Sequence, residues 1–390
     1  MDSSNSANRF LVVADRRMLD SAVAELHSSF DDLSHIVVCS DSTIAVMSVK
    51  SSKMGASQIN KVSKALTFSY IVFHEWMVID SPYDKDRIVE SIKGLLDGKL
   101  NPTFMLEAKI VEANLGMNAK SVEVEVGMAV EEGGFRPSLT APDIYIYLII
   151  SADKTAIGYS GVIEYPGPID PFRIANAGPN DELNRAELKF KEAVDFFDID
   201  VFKWRVAIDI GAAPGGWTAA LSGMMCKVVA VDSALLDYDN TFARKTLIIY
   251  GKGDDSLSSY QGRKGIEMVE FNEDMLPLVK YLNEYDVVHL KANIGSPTKN
   301  FDDYLLQLKD ADALVIDSNM APEKNAEMAV RLKSTLKAGA TLVMTIKLFD
   351  ANIQGHIEDV KRALAGSYSG IMLKKLHYNR MELTLVAAKA

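Results

Sequence analysis

The chain has 390 residues, of which 48% are hydrophobic and 24% charged, with 24 Gly and 12 Pro. This excludes a disordered, fibrous or low-complexity protein, and the length predicts two or three domains, each with its own core. Its 42 Lys and Arg against 53 Asp and Glu give a net charge of −11, which argues against polyanion binding by the whole surface and leaves only a local basic face.

That face is expected toward the C-terminus. Residues 331–390 carry 10 basic and 4 acidic side chains, whereas residues 1–170 carry 15 and 23. Cys39 and Cys226 are the only cysteines, too few for a disulfide framework or a Cys-rich metal site, which predicts a reducing, cytoplasmic setting. No basic-then-apolar leader opens the chain, and no apolar run reaches the length needed to span a bilayer, so no membrane association is expected.

In chain order, RFLVVAD reads as a strand, RMLDSAVAELHSSF as a helix, and HIVVCS and TIAVMSV as two short strands. Together they predict a small ferredoxin-like α+β unit over 1–65. A second α+β unit over 66–165 follows, with HEWMVID, the amphipathic helix DKDRIVESIKGLLDG, and the strands TFMLEAKIVEAN and DIYIYLIIS. The Gly- and Pro-rich stretch 166–184 breaks regular structure and predicts a linker.

From 185 to 390 the pattern changes to helices alternating with seven apolar strands: VAIDIG, KVVAVD, DVVHL, DALVIDS, TLVMTIK, GIMLKKLH and ELTLVAA. Strands without in/out alternation are buried on both faces, as in a parallel sheet covered by helices. The fold class expected is α/β, a mostly parallel seven-stranded sheet. The polar stretch 251–264 reads as a surface loop.

The most informative segment is VAIDIGAAPGGWTAALS, 206–222: a buried strand carrying Asp209, a turn of Gly211, Ala212, Ala213, Pro214, Gly215 and Gly216, and a helix opening near Trp217. Small residues at the carboxyl end of a strand let a ligand approach the backbone closely, and Asp232 ends the next strand, where a carboxylate can hold ribose hydroxyls. A nucleoside-containing cofactor is implied. Ala213 and Pro214 depart from the dinucleotide fingerprint: one adds a Cβ near the pyrophosphate position and the other removes an N–H. S-adenosylmethionine has no phosphates and tolerates both.

DIGAAPGGWTAAL closely resembles the cofactor motif of the FtsJ-type ribose 2′-O-methyltransferases, whose Rossmann-like class I domain binds S-adenosyl-L-methionine. RAELKFKEA resembles that family's upstream Arg-x-x-x-Lys helix, ALVIDSN its Asp-bearing strand, TIKLF its Lys-bearing strand, and NRMELTLV its final Glu-bearing strand. The resemblance implies a catalytic tetrad of Lys189, Asp317, Lys347 and Glu382, with Asp317 also beside the cofactor. Asn293 stands where relatives place an adenine-contacting Asp, and 233–286 is longer than the family norm.

Residues 121–161 resemble the THUMP RNA-binding domain more loosely. A ferredoxin-like unit, a THUMP-like unit and an FtsJ-type domain together resemble the bacterial large-subunit ribosomal RNA (cytidine 2′-O) methyltransferase M group.

Structured RNA is the implied partner, ribosomal RNA first and transfer RNA second, and no metal is implied. A noncatalytic RNA-binding or ribosome assembly factor that retains the cofactor fold is the rival reading, and a small-molecule methyltransferase is a third. Electrostatics suggest roles within the tetrad. A Lys347 amine made less basic by desolvation and by the Lys189 cation would accept the ribose proton, with Asp317 and Glu382 orienting both amines. Arg185, Lys189, Lys191, Lys347, Lys374, Lys375 and Arg380 are the expected basic cleft, flanked by His377 and Tyr378.

Overall fold

The computed structural model describes residues 8–41, 44–55, 59–111, 113, 115–139, 142–161, 182–238, 245–252, 254–272, 274–292, 303–348, 350, 352–376 and 378–390. The chain divides into two compact units, Met1–Phe172 and Arg173–Ala390. Of the expected linker, all but 182–184 lies outside the described residues.

In the first unit the elements are β1 (Asn8–Asp15), α1 (Leu19–Ser29), β2 (Ser34–Ser40), β3 (Ile44–Ser51), α2 (Ile59–Ala65), β4 (Ser69–Ile79), α3 (Lys85–Leu96), β5 (Thr103–Ile110), α4 (Ala119–Glu132), β6 (Arg136–Pro137), β7 (Ile144–Ile150) and β8 (Thr155–Gly161). All eight strands form one sheet in the order β2-β3-β1-β4-β8-β7-β5-β6.

The α+β units expected at 1–65 and 66–165 therefore share a sheet, because β1 pairs with β4, Val12 opposite Val72 and Phe10 opposite His74. The last six residues of β1 are all buried, so its faces and both edges need cover, and β3 alone covers only one edge. A common core joins Leu11 and Val46 to Phe73 and Tyr147. The rings of Phe73 and Tyr147 stack at 3.9 Å over β8, where a Cβ on Gly158 would lie 3.1 Å from Phe73 Cβ.

The second unit contains α5 (Glu182–Phe196), β9 (Val206–Ile210), α6 (Gly216–Gly223), β10 (Lys227–Asp232), β11 (Thr246–Tyr250), β12 (Ile266–Glu270), α7 (Leu278–Glu284), β13 (Val287–Lys291), β14 (Ala311–Ile316), α8 (Pro322–Leu332), β15 (Leu336–Lys347), α9 (Ile353–Leu364), β16 (Tyr368–Lys374) and β17 (Glu382–Lys389). They build a Rossmann-like α/β domain. The seven expected strands lie in the order β13-β10-β9-β14-β15-β17-β16, and β11 and β12 extend the sheet beyond β13.

Nine strands thus replace the expected seven. The added pair comes from the long segment 233–286 and runs parallel to its neighbours. Both strands are only five residues long, and β12, IEMVE, has no continuous apolar run, so periodicity gave no sign of it. The stretch expected as a loop at 251–264 includes a 3-10 turn, Asp255–Tyr260.

From β12 to β15 all neighbours are parallel, whereas β17 is antiparallel to both β15 and β16. The carboxyl ends of β9, β10, β14 and β15 therefore lie along one side of the sheet, where ligands meet such folds. Phe190 of α5 and Trp217 and Leu221 of α6 share a core with Ala207 and Val228 of the sheet. Ile353, Ile357, Val360 and Leu364 form the buried stripe of α9, at spacings that repeat on one helical face. No helix among the described residues is long and apolar enough to cross a membrane.

Candidate active site

Four residues far apart in sequence meet where the middle of α5 passes the ends of β14, β15 and β17. Lys189 Nζ donates to Asp317 Oδ2 at 2.6 Å and to Glu382 Oε1 at 2.8 Å. Lys347 Nζ donates to the other oxygen of each, Asp317 Oδ1 at 2.9 Å and Glu382 Oε2 at 2.6 Å. The result is a closed ring of alternating ammonium and carboxylate with no net charge. Lys189 and Glu382 are buried, while the side chains of Asp317 and Lys347 keep 13% and 15% exposure, so the ring opens on that side.

The geometry follows from the strands. Lys347 lies opposite Glu382 in the β15–β17 register, and Asp317 directly follows β14, the other neighbour of β15. Lys189 reaches the ring from a helix whose next residue, Phe190, is anchored in the core.

Burial alone would lower the Lys347 amine, but the charges of Asp317 and Glu382 and its hydrogen bonds to both outweigh burial and hold it above the ordinary lysine value. Burial likewise disfavours the two carboxylates, yet the ammoniums hold both below their ordinary range. The expected weakening of Lys347 as an acid-binding base is therefore reversed in the resting ring. Lys189 is a cationic neighbour, as anticipated, but two anions lie closer to Lys347 than that cation does in bonding terms.

The cofactor turn adjoins this ring. Gly211 has φ +77°, and a Cβ there would fall 2.8 Å from the Asp317 carbonyl oxygen and 2.9 Å from Ser318 Cα, so glycine permits β9 and β14 to end in contact. Asp317 N–H donates back to Ile210 O at 3.1 Å. Gly211 and Ala212 N–H both donate to Val231 O, and Ala213 N–H donates to Asp232 Oδ2 at 3.1 Å. Asp232 Oδ1 accepts from Ala234 N–H at 2.8 Å. A carboxylate has about four lone-pair sites, so Asp232 retains capacity for hydroxyl donors. Pro214 follows a cis peptide bond, Gly215 has φ +121°, and Gly216 opens α6.

Asp209 is fully buried. Its Oδ2 accepts from Thr218 Oγ1 at 2.6 Å, and its Oδ1 is buried with no hydrogen-bond partner among the described residues. Burial, reinforced by the charges of Asp317 and Asp232, pushes its pKa up to about 7. Trp217, expected to border the cofactor, packs in the core, 3% exposed, with its ring 5.2 Å from Phe190 and 5.9 Å from Lys189 Nζ. Asn293 lies outside the described residues. The turn of small residues, the remaining capacity of Asp232 and the unmatched oxygen of Asp209 fit a polar, phosphate-free nucleoside cofactor.

The expected basic cleft is thinner than its sequence count. Lys374 and Lys375 are buried: Lys374 Nζ lies 5.1 Å from the Phe196 ring, and Lys375 donates to the Asn379 and Arg380 carbonyls. Neither can meet an RNA phosphate, because the strand and its following turn point both stems inward. Lys191 pairs with Glu187 at 2.5 Å, Arg185 is partly buried, and Arg380 is exposed. Tyr378 N–H caps Glu192 at 3.0 Å, and His377 lies outside the described residues.

Thr345 is not one of the motif residues, yet its Oγ1 donates to Asp317 Oδ1 at 2.9 Å. The available signal was one hydroxyl in the otherwise apolar run LVMTI, two positions before Lys347 and so on the same strand face. Among the described residues no group of three or more His, Cys, Asp or Glu is arranged to hold a metal ion. His289 is buried and neutral, its pKa lowered to about 4 by burial, with Nδ1 paired to Tyr238.

Residues 183–256 match the sequence profile of the FtsJ-like methyltransferase family. The chain is 28% identical over 196 residues to ribosomal RNA large subunit methyltransferase M of Citrobacter koseri, covering 44% of this chain and 51% of that one. The protein of the same name from Dickeya chrysanthemi is 28% identical over 200 residues, covering 45% and 52%. An uncharacterized protein of Methanocaldococcus jannaschii is 24% identical over 213 residues, covering 53% and 47%. The chain thus spans about half the length of the curated relatives it matches. Among solved structures, TrmN from Thermus thermophilus aligns over 98% of this chain and 100% of that one, with 12% identity and a TM-score of 0.36. At that score the fold assignment rests on the strand order itself. The family match at 183–256 runs from the Lys189 helix through the cofactor turn and across the first added strand, and the cofactor it indicates is S-adenosylmethionine.

Proposed function

We propose that this chain is an S-adenosylmethionine-dependent RNA ribose 2′-O-methyltransferase whose substrate is large-subunit ribosomal RNA. The observation that carries the reading is the closed Lys189–Asp317–Lys347–Glu382 ring beside the Gly211 turn. In this reading the eight-stranded first unit is the THUMP-like part that selects RNA. Because residues 1–170 are net acidic, its contacts are local and shape-dependent rather than a broad basic field.

The cofactor supplies an electrophilic methyl group on a sulfonium. Gly211 to Gly216, Asp209 and Asp232 are the residues that would hold it. Transfer to a ribose would need its 2′-hydroxyl oxygen held in line with that methyl group and the hydroxyl proton taken up by the protein. Lys347, which with Asp317 lies on the open side of the ring, takes that proton after releasing its own to solvent. Loss of one proton leaves the ring with a net charge of −1, which a cation bound next to it favours. Lys189 remains charged and steadies the developing oxyanion, and Asp317 and Glu382 hold both amines in place.

The test is incubation with methyl-labelled S-adenosylmethionine and total RNA from a strain lacking the gene, beside Lys347→Ala. Ribose methylation blocks alkaline cleavage, so label in an alkali-resistant dinucleotide of large-subunit RNA, lost in the variant, is the expected result. Label confined to transfer RNA would move the substrate. Cofactor binding without label in any RNA or assembling particle would replace the reading with that of a noncatalytic RNA-binding factor.

A further inference from the structure

The resting ring holds Lys347 as an ammonium, so a base at this position needs something that eases its proton away. Asp317 Oδ1 accepts from two donors, Lys347 Nζ at 2.9 Å and Thr345 Oγ1 at 2.9 Å. Thr345 is fully buried in β15, where Val would fill the same volume without a hydroxyl to satisfy. Its register partner on β17, Thr384, is taken by the Asn379 side-chain amide at 3.0 Å. Among the described residues the Thr345 hydroxyl donates to one oxygen, the one that also holds Lys347.

We propose that Thr345 is a positioning residue for the reaction: by sharing Asp317 Oδ1 it loosens that carboxylate's hold on the Lys347 ammonium and eases release of the proton. A donor to a carboxylate draws off part of the charge that a second cation would otherwise feel in full. Among the described residues the charged groups that face Lys347 are Asp317 after β14, Glu382 on β17 and Lys189 on α5. Thr345 changes the field of the first and leaves the other two in place. The inference rests on Lys347 being the base of the proposed reaction.

Its test reads Lys347 directly and needs neither RNA nor cofactor. Trace acetylation with acetic anhydride at one alkaline pH reports the neutral fraction of Lys347, with exposed Lys252 of the same chain as internal reference. Thr345→Val is expected to lower the relative labelling of Lys347 about threefold, the equivalent of half a pH unit. Thr345→Ser, which keeps the hydroxyl, is expected to stay within about twofold of the parent, and Thr345→Cys, a weak donor of similar size, to fall between. A merely structural role would loosen the ring and raise labelling. Unchanged or increased labelling in the Val and Cys variants, or an equal fall in the Ser variant, overturns the inference. Methyl transfer by the parent protein tests the function separately: intact transfer with unmoved labelling removes only the role of Thr345, whereas shifted labelling with no methylated RNA removes only the reaction.

Discussion

Lys347 and Glu382 stand directly opposite each other on antiparallel neighbours β15 and β17, with Nζ 2.6 Å from Oε2. A strand pair fixes such a contact more tightly than a loop does, because register sets both Cα positions before any side chain is placed. The other two members then have little choice. Asp317 emerges from the strand on the opposite side of β15, and Lys189 closes the ring from above with one bond to each carboxylate.

Removing one charge from the ring is expected to cost more stability than removing one of each sign. Glu382→Gln leaves Lys189 and Lys347 sharing one carboxylate in a largely buried site, and a loss of about 3 kcal/mol is expected in urea unfolding of the cofactor-free protein. Lys189→Met combined with Glu382→Leu removes one charge of each sign and is expected to lose less than Glu382→Gln alone. Equal or greater loss in the double variant would mean that the ring itself, rather than charge balance, holds these elements together.

The rate of methyl transfer is expected to climb with pH. Only neutral Lys347 accepts a proton, and its carboxylate partners hold it above the ordinary value, so the neutral fraction rises about tenfold per pH unit across the neutral and mildly alkaline range. A single-turnover profile between pH 6.5 and 9 with a slope near one on logarithmic axes is the expected result. A flat profile would assign proton removal to solvent and leave Lys347 an electrostatic role.

Much of this site is legible in the sequence. Asp317, Lys347 and Glu382 fall at the ends of segments whose apolar runs announce strands, Lys189 falls within a helical segment, and the Gly211 turn carries its own motif. What could not be read is where charges point once buried. Lys374 and Lys375 look in sequence like Lys347, a cation ending an apolar strand, yet they turn into the core and meet an aromatic ring and two carbonyls. The protonation of Lys347 was equally hidden, since it depends on which neighbours win at 2.6 to 2.9 Å, a fact of register and not of composition. In the first unit, β1 alone gave no indication that its second edge belonged to β4, because strand pairing between distant segments leaves no local mark.

Gly211→Ala separates close approach from backbone conformation. Gly211 and Gly262 share φ +77°, but a Cβ meets backbone within 2.9 Å at Gly211 and nothing within 4 Å at Gly262. Gly262→Ala is expected to cost only the conformational term, about 1 kcal/mol, with cofactor affinity unchanged. Gly211→Ala must also push β9 from the Asp317 carbonyl, so a larger stability loss and at least about tenfold weaker S-adenosylmethionine binding by calorimetry are expected. Equal effects of the two substitutions would show that the contact between the turn and Asp317 has no bearing on the cofactor.

Asp209 is expected to weaken the fold as pH rises. Its folded pKa of about 7 lies above the unfolded value near 3.9, so the folded state binds the extra proton between those limits. The stability this group contributes is fully present below about pH 4 and is lost as pH climbs through 7, by an amount on the order of 3–4 kcal/mol. Asp209→Asn keeps an acceptor for Thr218 and cannot ionise, so it behaves like the protonated acid at every pH. The difference in unfolding free energy between variant and parent, measured without cofactor, is expected to be small at pH 4.5 and to move in favour of the variant by pH 8. A difference that stays constant over that range would mean that Asp209 is ionised in the folded protein throughout, with its second oxygen satisfied by water.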